Sequence, residues 1–290
     1  MRRPQVALLV AALGGTCPSL QAQNEGAFRY DARHLDCARY LETAESDILT
    51  QSGGRKREQT SGRRGVWRFR AKPADGDVAL EAWLDSLSLW RRSAETTLRP
   101  DTDGLIGGRY RGILTGGGVY SSRVQPFVPD EVAEVAGMAT AVDDFFPPLP
   151  LRQLRPGEEW RDSLGLRIRR LPDSALSGVA LHRFALESIR ESRSAATERD
   201  TVPLQLHQLA REQGTFVWHP LLGLIGRDRT VVVETSVPAS RSVGPAVRSR
   251  IEQRIRLRRD LKGSPTGCSG ARLPVRPAGA RPPGSDTDTG

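Results

Sequence analysis

The stretch VRSRIEQRIRLRR, residues 247 to 259, constrains the fold more than any other part of the chain. Val247, Ser249, Ile251, Gln253, Ile255 and Leu257 occupy alternate positions; Arg248, Arg250, Glu252, Arg254, Arg256 and Arg258 occupy the others. Side chains of an extended strand alternate between its two faces, so this spacing gathers the charges on one side. In a helix Val247, Ile251 and Ile255 would align, but Leu257 would fall among the arginines. The stretch reads as one β-strand with its apolar row toward a core and its charged row toward water. At about 3.3 Å per residue it spans on the order of 43 Å, a length that implies a strongly curved sheet or a barrel wall. One register buries either all the apolar residues or all the charges. A charge placed at Ile251 is therefore expected to be severe and the loss of one at Arg254 mild.

The same period of two recurs along the chain. VWRFRA (66–71), VALEAWL (78–84), LGLRIRRL (164–171) and DRTVVVETSV (228–237) all alternate, with turn signals such as TGGG (115–118) between alternating runs. Many short alternating segments bounded by Gly and Pro predict a mainly β fold. The expected architecture is a large curved antiparallel sheet, or a soluble barrel or half-barrel. One segment departs from the pattern. PDEVAEVAGMATAVDDFF (129–146) spaces Val132, Val135, Ala139, Val142 and Phe146 at helical intervals, with Pro129, Asp130 and Glu131 at the start and PPLP after the end. This predicts one amphipathic helix over about 129–146.

The termini divide the chain into three parts. Arg2 and Arg3, followed by VALLVAAL (6–13) and SLQAQ, read as a secretory signal over 1–22, with cleavage before Gln23. Thr16 before Cys17, with Gly14 where a leucine is usual, departs from a lipoprotein signal, so anchoring at Cys17 is not expected. A single β-rich domain is expected over 23–262. The Pro/Gly-rich segment 263–290 is expected to be disordered, since it has almost no large apolar residue to offset its ordering entropy. The expected location is secreted or periplasmic. There the two cysteines left after cleavage, Cys37 and Cys268, can pair.

The formal charge is +9, carried almost wholly by arginine; Lys56, Lys72 and Lys262 are the only lysines. The row Arg248, Arg250, Arg254, Arg256 and Arg258 admits two readings. It is a solvated face neutralised by carboxylates on neighbouring strands, or a face that binds an anionic lipid or glycan of the cell envelope. No base-stacking aromatics are interleaved with it, so nucleic acid is not an expected partner. If the apolar row faced lipid, the arginines would line a pore, and the other strands lack a matching polar row. The chain is not expected to span a membrane once the signal is removed.

The sequence contains no G-x-S-x-G, S-x-x-K, P-loop or H-E-x-x-H. His182 and His207 lie in alternating runs that would bring them together only if their strands align. Asp143–Asp144 and Glu158–Glu159 are paired carboxylates without a visible cleft, and DTDG (101–104) lacks the later ligands of a calcium loop. No cofactor or metal is expected. GGRYRG, PFVPDE, FFPPLP, LRPGEEWRD and the closing amphipathic strand resemble secreted bacterial β-rich proteins of uncharacterised function. The architecture is similar, at the level of fold class alone, to the half-barrel carriers of lipoproteins and lipids of the LolA and LppX type. That resemblance implies a non-enzymatic envelope protein holding a hydrophobic or amphiphilic ligand in a curved sheet. The alternatives are a secreted hydrolase with an unrecognised carboxylate or histidine site, and a structural or protein-binding module.

Overall fold

A computed structural model describes residues 28–150, 152–176, 178–197, 203–239 and 244–262, with backbone alone at 194–197 and 203–205. The expected signal (1–22), Cys17, Cys268 and the tail (263–290) lie outside the described residues.

The chain forms a twelve-stranded antiparallel sheet. Its strands are β1 (Arg39–Ser52), β2 (Arg55–Ala74), β3 (Asp77–Arg92), β4 (Thr97–Leu98), β5 (Tyr110–Leu114) and β6 (Tyr120–Val124), then β7 (Glu159–Arg161), β8 (Leu166–Leu176), β9 (Val179–Thr197), β10 (Pro203–His219), β11 (Gly223–Val237) and β12 (Val247–Arg259). The spatial order is β6-β5-β3-β2-β1-β12-β11-β10-β9-β8-β7, with the short β4 beside β3. Among the described residues both ends are unpaired edges, and the sheet is not closed into a barrel. The strand expected from the arginine alternation is β12, and it lies between β1 and β11 at the middle of the sheet.

Alternation decides the two faces. On β1, Tyr40, Glu42, Ala44 and Ser46 are buried, while Leu41, Thr43, Glu45 and Asp47 point the other way and are exposed. Register carries this assignment across the sheet. Tyr40 pairs with Trp67 on β2, Glu42 with Leu257 on β12, and Arg227 on β11 with both Leu257 and Phe216. The buried face is lined by aromatic rings. Trp67, Phe69, Tyr40, Phe184, Phe216 and Trp218 are all at most 2% exposed. Phe145 packs on Tyr40, Trp67 and Phe69 with ring centroids 4.9 to 5.9 Å apart.

The second layer is the segment predicted as a helix, and here the structure corrects the expectation. Only Asp130–Ala133 is α-helical (α2, after the single turn α1, Ala32–Leu35). The remainder, to Phe146, is a series of turns. Of the positions marked by the helical spacing, Val132, Val135, Val142 and Phe146 are buried but Ala139 is exposed; Met138 and Phe145, which the spacing did not mark, also face the core. What stops the helix is competition for its carbonyls. Arg91 donates to the carbonyl of Glu134, the Tyr110 hydroxyl to that of Met138, and Arg227 to those of Asp144 and Phe145. The carbonyls of Glu134 and Met138 are acceptors that a helix through 146 would use, whereas those of Asp144 and Phe145 would fall in its unpaired last turn; Gly137 lowers the cost of the break.

Cys37 lies between α1 and β1 with φ at 58° and is disulfide-bonded. Among the described residues, no helix is long and apolar enough to cross a membrane.

Candidate functional site

The arginine row of β12 points away from the core, and its neighbours carry carboxylates at matching positions. Arg254 lies opposite Glu45 on β1, Arg250 opposite Glu234 on β11 and Arg256 opposite Asp228. Arg250 pairs with Glu234 at 2.9 Å, Arg254 with Glu252 at 2.7 Å and Arg256 with Asp228 at 3.1 Å, while Arg258 reaches Asp228 at 2.5 Å. Hydrogen bonds from Arg254 and then Arg250 hold the Glu252 carboxyl below its ordinary range. On the outward side of β1, β12 and β11, Arg250, Arg254, Arg256 and Arg258 pair with Asp47, Asp228, Glu234 and Glu252, and Glu45 lies opposite Arg254. The central part of this face is therefore balanced. Its pairs are exposed and each contributes little to stability. Among the described residues Arg248 has no carboxylate partner; it borders a groove of about 350 Å³ with Leu49, His207 and Leu209.

The inward face carries the charges that alternation alone did not single out. Glu42 is 6% exposed and accepts from Arg63 at 2.6 Å and from the Trp67 indole at 2.7 Å. On the other side of β12, Glu212 of β10 accepts from Arg227 at 2.6 Å and from Arg229 at 3.4 Å. Burial alone would raise the Glu212 carboxyl, but the two guanidiniums outweigh it and hold it below its ordinary value. Burial, then repulsion from Arg229, lowers Arg227 to about 10. These two groups form a charged belt across the sheet. Arg227 reaches from it to the second layer, and Arg63 approaches the Met138 sulfur at 3.6 Å.

Beyond the belt the same strands continue. Gln253 donates to the Ser46 hydroxyl at 3.1 Å. The next inward row runs Gln59, Ile48, Ile251, Val233, Ala210 and Arg190 across β2, β1, β12, β11, β10 and β9. Ile48, Ile251, Val233 and Ala210 are half-buried and stand outside the hydrophobic core cluster. The following row is Arg57, Thr50, Ser249, Thr235 and Gln208, polar throughout. The aliphatic row is thus bounded on this side by a polar row and on the other by Ser61, Ser46, Gln253, Val231 and Glu212, in which Val231 is apolar. The apolar row of β12 accordingly divides into two parts. Ile255 and Leu257 are core residues, whereas Ile251 and Val247 are only half-buried.

The residues weighed for catalysis are dispersed. His182 pairs in register with Trp218 and His207 with Arg193, far apart on the β9–β10 hairpin. His182 is 2.7 Å from Arg170 and 3.3 Å from Asp173, and His207 is 3.0 Å from Glu191. Glu158 bonds to Arg152 and the Arg155 amide, and Glu159 to Arg161 and Arg167, so all four contacts are structural ion pairs or caps. Asp143 is raised by burial and by Asp144. Residues 101–104 form a turn in which Asp101 accepts from the Asp103 amide, and 115–118 connect β5 to β6. Among the described residues, no group of three or more His, Cys, Asp or Glu side chains is placed to hold a metal ion.

One buried histidine gives the fold a pH dependence. His34 on α1 is 4% exposed, its ring edge-on to Trp218 with centroids 5.4 Å apart. Burial pushes it from 6.5 down to about 4; Asp31 opposes the shift, and Arg33 and Arg259 add to it. The unfolded chain takes up this proton near pH 6.5, and the folded chain refuses it until about pH 4. Stability contributed by neutral His34 is therefore complete above the higher value and is lost as pH falls through the lower, by up to about 3 kcal/mol. Urea melts between pH 7 and pH 4 should show this decline, and His34→Phe should remove most of it. Burial lowers His219 as well, which leaves a residual slope of the same sign. An unchanged slope in His34→Phe would locate the effect elsewhere.

No protein-family model matches the chain, and no curated protein matches it significantly. Among solved structures it is similar to a lipovitellin, in work on "lipid-protein interactions in lipovitellin", at 10% identity and a TM-score of 0.42. The match covers 83% of this chain and 26% of that one, so the chain spans about a quarter of its neighbour's length. The TM-score is below what a shared fold requires.

Proposed function

We propose that this chain is a non-enzymatic binding protein, secreted or periplasmic, that holds a hydrophobic or amphiphilic ligand against the inward face of its open sheet. The observation that carries the reading is the row Ile48, Ile251, Val233 and Ala210. These side chains share the buried face of the sheet, yet they are half-exposed and belong to no core cluster. Aliphatic surface presented at the open end of a curved sheet is stabilised by covering it, and an acyl chain does so without needing hydrogen bonds. The dispersal of His182, His207 and the paired carboxylates removes the motivation for a hydrolytic reading. In the exported protein, we expect a chain beginning at Gln23 with Cys37 joined to Cys268.

Native mass spectrometry of the exported, purified protein tests this directly. The expected spectrum contains an adduct with the mass of an acyl lipid, lost on organic extraction and regained on incubation with lipid. Val233→Gln should lose the adduct while its melting temperature stays within a few degrees of the parent. A protein that neither carries nor takes up any amphiphile would overturn the proposal and leave a scaffold or protein-binding module. Peptide mapping of the same unreduced sample reads the new N-terminus and the Cys37 linkage.

A further inference from the structure

Past the charged belt the two faces of the sheet part in character. Residues 46–52 of β1, 247–253 of β12, 231–237 of β11 and 208–212 of β10 lie side by side at its open end. The outward positions of this stretch include Asp47, Arg248, Arg250, Glu252, Glu234 and Arg211. Its inward positions carry one ionic side chain, Glu212, in the row nearest the core, and Arg227 and Arg229 share that carboxylate. A sheet end that met only water on both sides has no reason to keep charge off one of them. The inward side is accordingly the one made to be covered.

Two rows define what covers it. Ile48, Ile251, Val233 and Ala210 supply aliphatic surface, which Val231 extends toward the belt. The adjacent row, about 6.7 Å further along the strands, is Thr50, Ser249, Thr235 and Gln208. These four side chains are half-buried, and none takes part in a hydrogen bond among the described residues. Their hydroxyl and amide groups both donate and accept. Arg57 pairs with Thr50 from β2 and Arg190 with Ala210 from β9, so cations flank the surface at its two margins, where both are exposed. An ion pair formed there stays in water and adds little.

We infer that the ligand is a neutral amphiphile with a hydroxyl-bearing head, of the acylglycerol class, its hydrocarbon on Ile48, Ile251 and Val233 and its head against Thr50, Ser249 and Thr235. The inference rests on the amphiphile reading above and adds the chemistry of the head. A hydroxyl or ester moved from water onto these side chains exchanges one set of hydrogen bonds for another. A carboxylate or phosphate moved to the same place gives up hydration and meets no cation at the centre of the face.

The experiment is titration of the delipidated full chain with monomyristoylglycerol, methyl myristate and myristate, each below its critical micelle concentration. The pH is one at which the fatty acid is ionised, and the salt is high enough to screen the chain's formal charge of +9. The three share one acyl chain; the first carries free hydroxyls, the second an ester alone and the third a charge. The unmodified protein should bind the glyceride about tenfold more tightly than either of the others, the scale of one or two hydrogen bonds. In Thr235→Val/Ser249→Ala the margin over methyl myristate should fall to about threefold or less, with the methyl ester itself bound as before. Val233→Gln should weaken all three. Myristate bound as tightly as the glyceride would overturn the neutral head and leave the amphiphile reading standing. Equal binding of the glyceride and the methyl ester would overturn the hydroxyl-bearing head. Binding of none of the three would remove both the inference and the reading beneath it, and a dimer that Val233→Gln abolishes would then assign the face to a second copy of the chain. The three-ligand comparison needs no variant, so it decides the question even if the double substitution fails to fold.

Discussion

Leu257→Arg is expected to cost the fold about 4 kcal/mol or more, whereas Ile251→Arg, on the same row of the same strand, should cost no more than about 2 kcal/mol. Leu257 is 3% exposed and lies between Glu42 on one side and Arg227 on the other, within the aromatic core. A guanidinium there loses its water, gains Arg227 as a like-charged neighbour and finds Glu42 already occupied by Arg63 and Trp67. At Ile251 the side chain is only half-buried, so a long cationic side chain can extend past the aliphatic row to solvent. Arg254→Thr removes an exposed charge and keeps strand propensity, and should change stability by less than about 0.5 kcal/mol. Urea melts of the three variants give the order. If Ile251→Arg matched Leu257→Arg, the open end of the inward face would be as closed as the core, and the binding proposal would lose its support.

Glu212→Ala is expected to destabilise by about 3–5 kcal/mol, the usual result of removing one partner from a buried ionic group. The glutamate is the carboxylate between Arg227 and Arg229, whose side chains are 7% and 11% exposed. Without it, Arg227 retains only the carbonyls of Asp144 and Phe145 and faces Arg229 directly. Arg227→Met in the same background should recover part of the loss, because the second substitution removes the stranded charge. Chemical denaturation of the single and double variants measures the coupling. A harmless Glu212→Ala would mean that water reaches the belt freely.

Much of the sheet was legible because strand alternation is a local property. The β12 bounds and the direction of its two rows follow from a period of two and the need to bury one row. The segment after Pro129 was legible only in part. Its spacing marked Val132, Val135, Val142 and Phe146 correctly as core and missed at Ala139, which is exposed; helical burial does not require a helix when Arg91 and Tyr110 take the carbonyls. The inward arginines had a visible signal, since Arg227 and Arg229 are in phase with Val231 and Val233 in GRDRTVVV. Their meaning was not visible. It depends on Glu212 being opposite Val231, and the register between distant segments is not written in either one. Ile251 is half-buried where alternation led to the expectation of a core position, and the reason is similar. Alternation tells which face a residue takes, but not how far along the strand the covering layer extends.

The seam between β1 and β12 has a consequence for how the chain is made. Tyr40 pairs with Arg259 and Ser52 with Val247, so the middle of the sheet joins the first long strand to the last. About 195 residues separate the two sides at the Ser52 end, and at roughly 5–20 residues per second their synthesis takes roughly 10–40 s. Until then β1 can pair with β2 but has a full-length bare edge on its other side, the kind of edge that recruits foreign strands. A chain cut short before Val247 never covers that edge. Two complete chains meeting in this interval have a closed alternative, in which each supplies its last strand to the other's first, and the seam is where an exchanged dimer of this protein would form.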